Sequence, residues 1–274
     1  MTIQAICSDI DGTLLNKERE LSEKTIRVLK HLGASMPVIL ASSRMPGAMR
    51  HLQHQLGINE HPLICYNGGY VLVYKDHQPT VIHSVDLPLE VARYVTEVVE
   101  NRSIHASFYS EDNWYASQED QWSAREEKIT KVKPVIKMAH DVVALFEATN
   151  APVHKVMCMG PEDEIARLEE MINNNFVKYV HAFRSKSTYL EITPRPVSKA
   201  TALEKVLALN NISMTEVIAF GDNYNDIDLL KLAGIGIAVE NARAEVKAVA
   251  NDMTLANIED GVAVALEKYL NIRY

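Results

Sequence analysis

Short apolar runs alternating with amphipathic segments at both ends of the chain constrain this sequence more than any other feature. Residues 3–8, 37–41 and 63–66 each have the length and composition of a buried strand, and so do 217–220 and 235–239. Between them, Ser22 is placed to cap a helix with Ile26, Leu29 and Leu32 on one face and Gly33 at its end. Residues 46–56, 199–209, 227–232, 242–250 and 261–270 read as further helices. Strand–helix–strand repetition at this spacing builds a parallel sheet with helices on both faces. Asn67-Gly68-Gly69 marks a turn, and residues 76–79 read as the bend of a hairpin joining 71–74 to 80–83.

The middle of the chain has a different pattern. Residues 88–100 are amphipathic. Residues 106–109 and 114–117 flank the turn Glu111-Asp112-Asn113, and 154–159 and 179–184 bracket a helix over 161–173. The economical organisation is one α/β domain made from residues 1–83 and 194–274, with an α+β domain over 84–193 inserted into it. A chain of 274 residues with 47% apolar content buries a substantial core without disulfides or a structural metal.

Charge and cysteine usage exclude several classes. The 36 acidic residues outnumber the 28 basic ones, giving a net charge of −8, which is not the footprint of a general nucleic-acid binder. No run of about 18 apolar residues is available to span a membrane. The first residues lack the basic and long apolar regions of a signal peptide, so a cytoplasmic protein is expected. Cys7, Cys65 and Cys158 lie in apolar stretches without CxxC spacing and are expected as buried thiols.

Four polar clusters carry the chemistry. Asp9-Ile10-Asp11-Gly12-Thr13 directly follows the first buried strand, where ligands bind in open α/β sheets. Gly12 permits a sharp turn that points Asp11 back toward Asp9, and two such carboxylates repel unless a cation or a proton lies between them. Gly221-Asp222-Asn223-Tyr224-Asn225-Asp226 follows another buried strand. Oxygen donors at two strand ends, with no histidine or cysteine beside them, suit a hard cation such as Mg2+ rather than zinc. Ser42-Ser43-Arg44 sits at a strand-to-helix junction, where hydroxyls and free N–H groups bind phosphate. Lys199 opens a helix after Ser198, a place where a cation opposes the helix dipole.

In this order and spacing, the clusters resemble the haloacid dehalogenase superfamily, and specifically its Cof-type subclass IIB branch. Asp9–Thr13 with Leu14-Leu15, then Ser42, then Lys199 within the stretch from Leu190 to Lys199, then Gly221-Asp222 with Asn225-Asp226 match its four motifs. Tyr66-Asn67-Gly68-Gly69 and residues 236–242 look like further family segments. Ser43 stands where the branch more often has Gly.

The resemblance implies a Rossmann-like, doubly wound parallel core with an inserted α+β cap of the C2B type. It implies hydrolysis of a small phosphorylated metabolite, with a sugar phosphate as the expected class. Asp9 would be the nucleophile that forms an aspartyl-phosphate, and Asp11 the general acid and base. Mg2+ would be held by Asp9, the Asp11 carbonyl and Asp222. Ile10 through its N–H, Ser42, Ser43, Lys199 and Asn225 would hold the phosphoryl oxygens, with Asp226 orienting Lys199 or a metal-bound water. Arg44 would touch phosphate or pair with an acid. A phosphomutase, or a non-catalytic phosphometabolite sensor, is the alternative. The inserted domain would exclude folded phosphoproteins and set ester preference. Neither nucleic acid nor membrane is expected as a partner, and the sequence does not give an oligomeric state.

Overall fold

The computed structural model describes residues 2–195 and 197–272. The chain forms two compact units. One comprises the residues up to Arg44, Met49–His83 and those from Ser198 onward; the other comprises Met45–Ala48 and Ser84–Val197.

The first unit opens with β1 (Ala5–Ser8), α1 (Glu23–Gly33), β2 (Val38–Ala41), α2 (Gly47–Leu56), β3 (Leu63–Cys65), β4 (Tyr70–Lys75) and β5 (Gln78–Ser84). Strands β1 to β3 are buried along their whole length, as their unbroken apolar runs require. The Ser22 hydroxyl accepts the Thr25 N–H at 3.0 Å and starts α1, which buries Thr25, Val28, Leu29 and Leu32. The β4–β5 turn places Asp76 and His77 at φ 49° and 65°, the left-handed pair a two-residue hairpin needs.

The inserted unit contains α3 (Leu89–Val99), β6 (His105–Ser110), β7 (Asn113–Ala116), α4 (Gln121–Thr130), β8 (Val135–Ile136), α5 (Ala139–Thr149), β9 (Lys155–Met159), α6 (Glu162–Phe176), β10 (Val180–Lys186) and β11 (Tyr189–Pro194). Its six strands run in the order β10-β11-β9-β6-β7-β8, antiparallel except for the β7–β8 pair. Val91 and Val95 of α3, Phe146 of α5 and Leu168 and Ile172 of α6 pack with Phe108, Val156 and Leu190 from one face of that sheet. This is an α+β unit with a mixed sheet.

The chain then returns to the first unit through α7 (Lys199–Ala208), β12 (Val217–Gly221), α8 (Ile227–Leu232), β13 (Ile235–Val239), α9 (Ala244–Lys247), β14 (Asp252–Thr254) and α10 (Gly261–Leu270). The eight strands of this unit run in the order β14-β13-β12-β1-β2-β3-β4-β5. The first six in that order are parallel, and β4 is antiparallel to β3. Strand β1 lies between β2, its successor in the chain, and β12, which arrives after the insertion. The connections therefore leave β1 and β12 in opposite directions, and this reversal opens a crevice at their carboxyl ends.

Two features differ from the sequence reading. The helix expected over 242–250 is confined to Ala244–Lys247. Asn251 exchanges hydrogen bonds with Gly236, its N–H donating to the carbonyl at 2.8 Å and its side chain accepting at 2.7 Å. That contact draws the chain into β14 at the sheet edge. The insertion also holds α4, α5, β8 and β11, which hydrophobic periodicity did not reveal. Helix α4 buries only Ser123 of its ten residues, so it carries little apolar pattern; the Asp120–Ser123 capping box marks its start. Cys7, Cys65 and Cys158 are all buried, and none is in a disulfide. Among the described residues, no helix is long and apolar enough to cross a membrane.

Candidate active site

The crevice between β1 and β12 is where the first acidic cluster meets the fourth. Ser8 pairs with Phe220 across the two strands, and the Asp9 N–H continues the ladder to the Phe220 carbonyl at 3.1 Å. Asp9 and Asp222 thus emerge on adjacent strand ends although more than two hundred residues separate them. Gly12 turns the chain at φ 88°. A Cβ there would lie 2.6 Å from Asp222 Oδ2, so the turn needs glycine both for its dihedral and for its close approach to that carboxylate. The Thr13 hydroxyl donates to Asp222 Oδ1 at 2.9 Å, and Asn241 donates to the Gly12 carbonyl at 2.7 Å.

Lys199 is the cation of this cluster, and it is completely buried. Its Nζ donates to Asp9 Oδ1 at 2.5 Å and to Asp226 Oδ1 at 2.7 Å. Asp226 Oδ2 in turn accepts the N–H groups of Asp222 and Asn223 at 3.0 and 3.1 Å. Asp226 therefore ties the ammonium to the loop that carries Asp222. Burial acts to lower the Lys199 pKa, but the two carboxylates outweigh it and hold the amine protonated. Gly68 at φ 110° makes this placement possible. A Cβ there would lie 2.4 Å from the Ser198 carbonyl, where α7 begins.

Tyr66, Asn67 and Gly68 are three successive residues with positive φ, a conformation that bulky side chains adopt only when their surroundings enforce it. The Tyr66 N–H donates to the Arg44 carbonyl and the Asn67 N–H to the Ser42 carbonyl, locking this segment to the β2–α2 junction. Asn67 Oδ1 also accepts from Asn225 Nδ2 at 2.9 Å. The sequence marked this segment only as a turn. Its role in joining the serine loop to the Asp222 loop, and that of Thr13 in orienting Asp222, come from the tertiary structure.

Asp11 stands apart from the Lys199 cluster. Arg44 donates through Nε to Asp11 Oδ2 and through Nη2 to Oδ1, both at 2.7 Å, and Arg19 also bonds Oδ1. Arg44 is ion-paired with Asp11 in this structure. Burial acts to raise the Asp11 pKa, but the two guanidinium groups more than offset it and hold the carboxyl below its usual range. Ser42 is buried in the β2–α2 junction, its Oγ accepting the Arg44 N–H at 3.2 Å. Ser43 is half-buried beside it, and Ile10 is fully buried between the two aspartates.

Charge balance shows what this arrangement can hold. Single carboxylate oxygens of Asp9, Asp222 and Asp226 lie within 4.8 Å of one another. Three carboxylates against the Lys199 ammonium leave two negative charges uncompensated. Burial is the main cause that pushes the Asp9 and Asp222 pKa values up, and the neighbouring carboxylates add to it. Asp9 Oδ2 is buried without a hydrogen-bond partner. An orphan carboxylate oxygen and two unbalanced charges, in an all-oxygen donor set, fit a divalent hard cation.

Comparison with known proteins agrees with this chemistry. Residues 6–266 match the family described as haloacid dehalogenase-like hydrolase. A Haemophilus influenzae protein described as a phosphatase is 31% identical over 98% of each chain. The 5-amino-6-(5-phospho-D-ribitylamino)uracil phosphatase YitU of Bacillus subtilis is 26% identical over 97% of each. A haloacid dehalogenase-like hydrolase from Bacteroides thetaiotaomicron superposes with a TM-score of 0.89 at 27% identity, covering 97% of this chain and 99% of that one. The subclass IIB sugar phosphatase BT4131 superposes with a TM-score of 0.78 at 25% identity, covering 98% of this chain and 100% of that one. The chain therefore belongs to the haloacid dehalogenase-like hydrolase family, in its Cof-type subclass IIB, and is a phosphatase acting on phosphoric monoesters.

Proposed function

We propose that this protein hydrolyses a small phosphorylated metabolite, of the sugar-phosphate or phosphorylated-polyol kind, through an aspartyl-phosphate on Asp9 with Mg2+ bound. The observation that carries the reading is the buried Asp9 carboxylate, with one oxygen held by Lys199 and the other without a partner. In the first step an Asp9 carboxylate oxygen forms a bond to phosphorus as the bond from phosphorus to the leaving oxygen breaks. Asp11, once its carboxyl is released from the Arg44 and Arg19 guanidiniums that hold it ionised, takes up a proton and gives it to that oxygen. In the second step water attacks the acyl phosphate, Asp11 takes the water's proton, and Asp9 is restored. Lys199, Ser42, Ser43, Asn225 and the N–H of Ile10 hold the phosphoryl oxygens, and Asp226 keeps Lys199 in place. Asp9, Asp222 and the Asp11 carbonyl would hold Mg2+, which would supply positive charge to the transferring group.

The second unit, with 84–193 as its proposed extent, supplies ester preference. The activities named for relatives, on a ribitylaminouracil phosphate, a sugar phosphate and pyridoxal phosphate, support a small phosphorylated substrate. The test is phosphate release from a panel of phosphorylated sugars, polyols, nucleotides and cofactors, with and without Mg2+. Turnover of at least one small ester only with Mg2+ is expected. Comparable release from an intact phosphoprotein would overturn the small-substrate reading.

Two variants probe individual roles. Asp222→Ala removes a carboxylate that the Thr13 hydroxyl orients. Mg2+ should raise the melting temperature of the parent protein by mass action and do so far less in the variant. An equal shift in both would remove Asp222 from the metal ligands. Asp11→Asn keeps the shape but cannot exchange a proton. Turnover of an alkyl phosphate should fall by about 10²–10⁴-fold, and that of p-nitrophenyl phosphate by less in the first step, because its leaving group needs no proton. Equal losses on both esters, measured by single-turnover kinetics, would assign Asp11 a role other than general acid.

A further inference from the structure

The loop between β13 and α9, residues 240–243, touches both of the loops that carry the acids of the site. The Asn241 carboxamide donates through Nδ2 to the Gly12 carbonyl at 2.7 Å and accepts the Asn257 N–H on Oδ1 at 2.9 Å. Both partners are backbone groups of fixed polarity, so the orientation of this amide is determined. Asn257 in turn donates its side-chain amide to the Leu15 carbonyl at 2.6 Å. Further along the loop, the Arg243 N–H donates to the Asp222 carbonyl at 3.0 Å, and Arg243 Nε donates to Asn223 Oδ1 at 2.8 Å. One short loop therefore holds the turn after Asp11 through Asn241 and the loop after β12 through Arg243.

The turn after Asp11 is also the one that orients Asp222. The Ile10 carbonyl accepts the Leu14 and Leu15 N–H groups at 3.0 and 3.1 Å and closes the turn internally. Gly12, at φ 88°, is its pivot, and glycine resists a change of backbone angle less than any other residue. The Gly12 carbonyl lies in one rigid peptide plane with the Thr13 N–H, so a bond to that carbonyl fixes the direction from which Thr13 starts. The buried Thr13 then donates its hydroxyl to Asp222 Oδ1. Asn241 itself is exposed, so water competes for its hydrogen bonds and they add little to folding stability. What they fix is geometry.

We propose that Asn241 is a positioning residue for the metal-binding carboxylate. By holding the peptide between Gly12 and Thr13 it places the Thr13 hydroxyl, and through that hydroxyl it keeps Asp222 in the arrangement that receives a divalent cation. The inference rests on the metal-dependent phosphatase reading above and extends it to a residue that touches neither metal nor substrate. Replacing groups one step beyond the ligands of a metal commonly changes its affinity by about 10–100-fold.

The test reads Mg2+ affinity from the rise of the melting temperature with Mg2+ concentration, in protein first stripped with a chelator. Asn241→Leu has nearly the same size and can neither donate nor accept. It should melt near the parent in chelator and bind Mg2+ about tenfold more weakly. Asn241→Ala should do the same without the bulk of leucine. A change under about twofold in the Mg2+ constant, with or without a lower melting temperature in chelator, would make Asn241 a structural residue and overturn the proposal. Failure of both variants to fold would do the same. The route through Thr13 has its own check, because Thr13→Val removes the hydroxyl that orients Asp222. Adding Asn241→Leu to Thr13→Val should weaken Mg2+ binding by less than about a further twofold, since residues acting in series are not additive. A double variant weakened by the full product of the two single effects would show independent action and overturn the route. A parent protein that neither melts higher with Mg2+ nor releases phosphate from p-nitrophenyl phosphate in its presence would overturn the metal-dependent reading, and the proposal with it. Unchanged affinity in variants of a responsive parent overturns the proposal alone.

Discussion

Asp9→Asn is expected to lower turnover by on the order of 10⁴-fold or more, the scale seen when a covalent nucleophile is removed. The amide keeps the shape of the side chain and can still offer an oxygen to Lys199 Nζ, so the ammonium retains both of its present contacts. What disappears is the negative charge on the oxygen that has no partner in this structure. A neutral amide is a poor nucleophile toward phosphorus and a poor metal ligand. Stability should not suffer. Burial and the neighbouring Asp226 and Asp222 carboxylates disfavour the Asp9 anion, so replacing it relieves repulsion in the metal-free protein. Phosphate release and thermal melting measured on the same preparation check both statements. Near-normal release by a well-folded Asp9→Asn protein would refute the covalent mechanism.

Lys199→Met should have the largest effect on stability of any single change in the site. The methionine has a comparable length and no charge, so it leaves Asp9 and Asp226 buried without their shared cation. Breaking a buried pair in this way costs about 3–5 kcal/mol. The deficit should depend on pH. Burial pushes the Asp9 carboxyl up and Lys199 opposes that rise; without the ammonium the folded-state pKa climbs further. A carboxyl with a folded-state pKa above its unfolded value contributes stability that is present at low pH and lost as pH rises through the folded pKa. The gap between variant and parent, measured by urea unfolding in the presence of a chelator, should therefore widen from mildly acidic to mildly alkaline buffer. A gap below about 1 kcal/mol at every pH would show that the cluster is not held together by Lys199.

Much of the fold was legible because its signals are local. An unbroken apolar run buried on both sides, such as Val38–Ala41, has few alternatives to a central parallel strand. Ser22 before an amphipathic run and Gly33 at its end set the limits of α1. Ile227–Leu232, Ile235–Val239 and Gly261–Leu270 likewise have the bounds that their periodicity predicts. Helix α4, β8 and β14 were not legible for the opposite reason. They are short or mostly polar, and what orders them is a cap or a pairing partner distant in sequence, as Asn251 is for β14.

The site divides along the same line. The sequence alone determined which residues carry charge and hydroxyls and that they follow buried strands, because composition and periodicity are properties of the chain. It also determined that Gly12 must turn beside an acid. Only the tertiary structure decided the pairings. Asp9 meets Asp222 because β1 and β12 are neighbours at the point where the strand order reverses. Lys199 is a buried hub because Asp9 and Asp226 converge on it from opposite ends of the chain, and Asp11 is held by Arg44 rather than by that hub. Electrostatic energy falls steeply with separation and depends on burial, and both are fixed only once the chain has closed on itself.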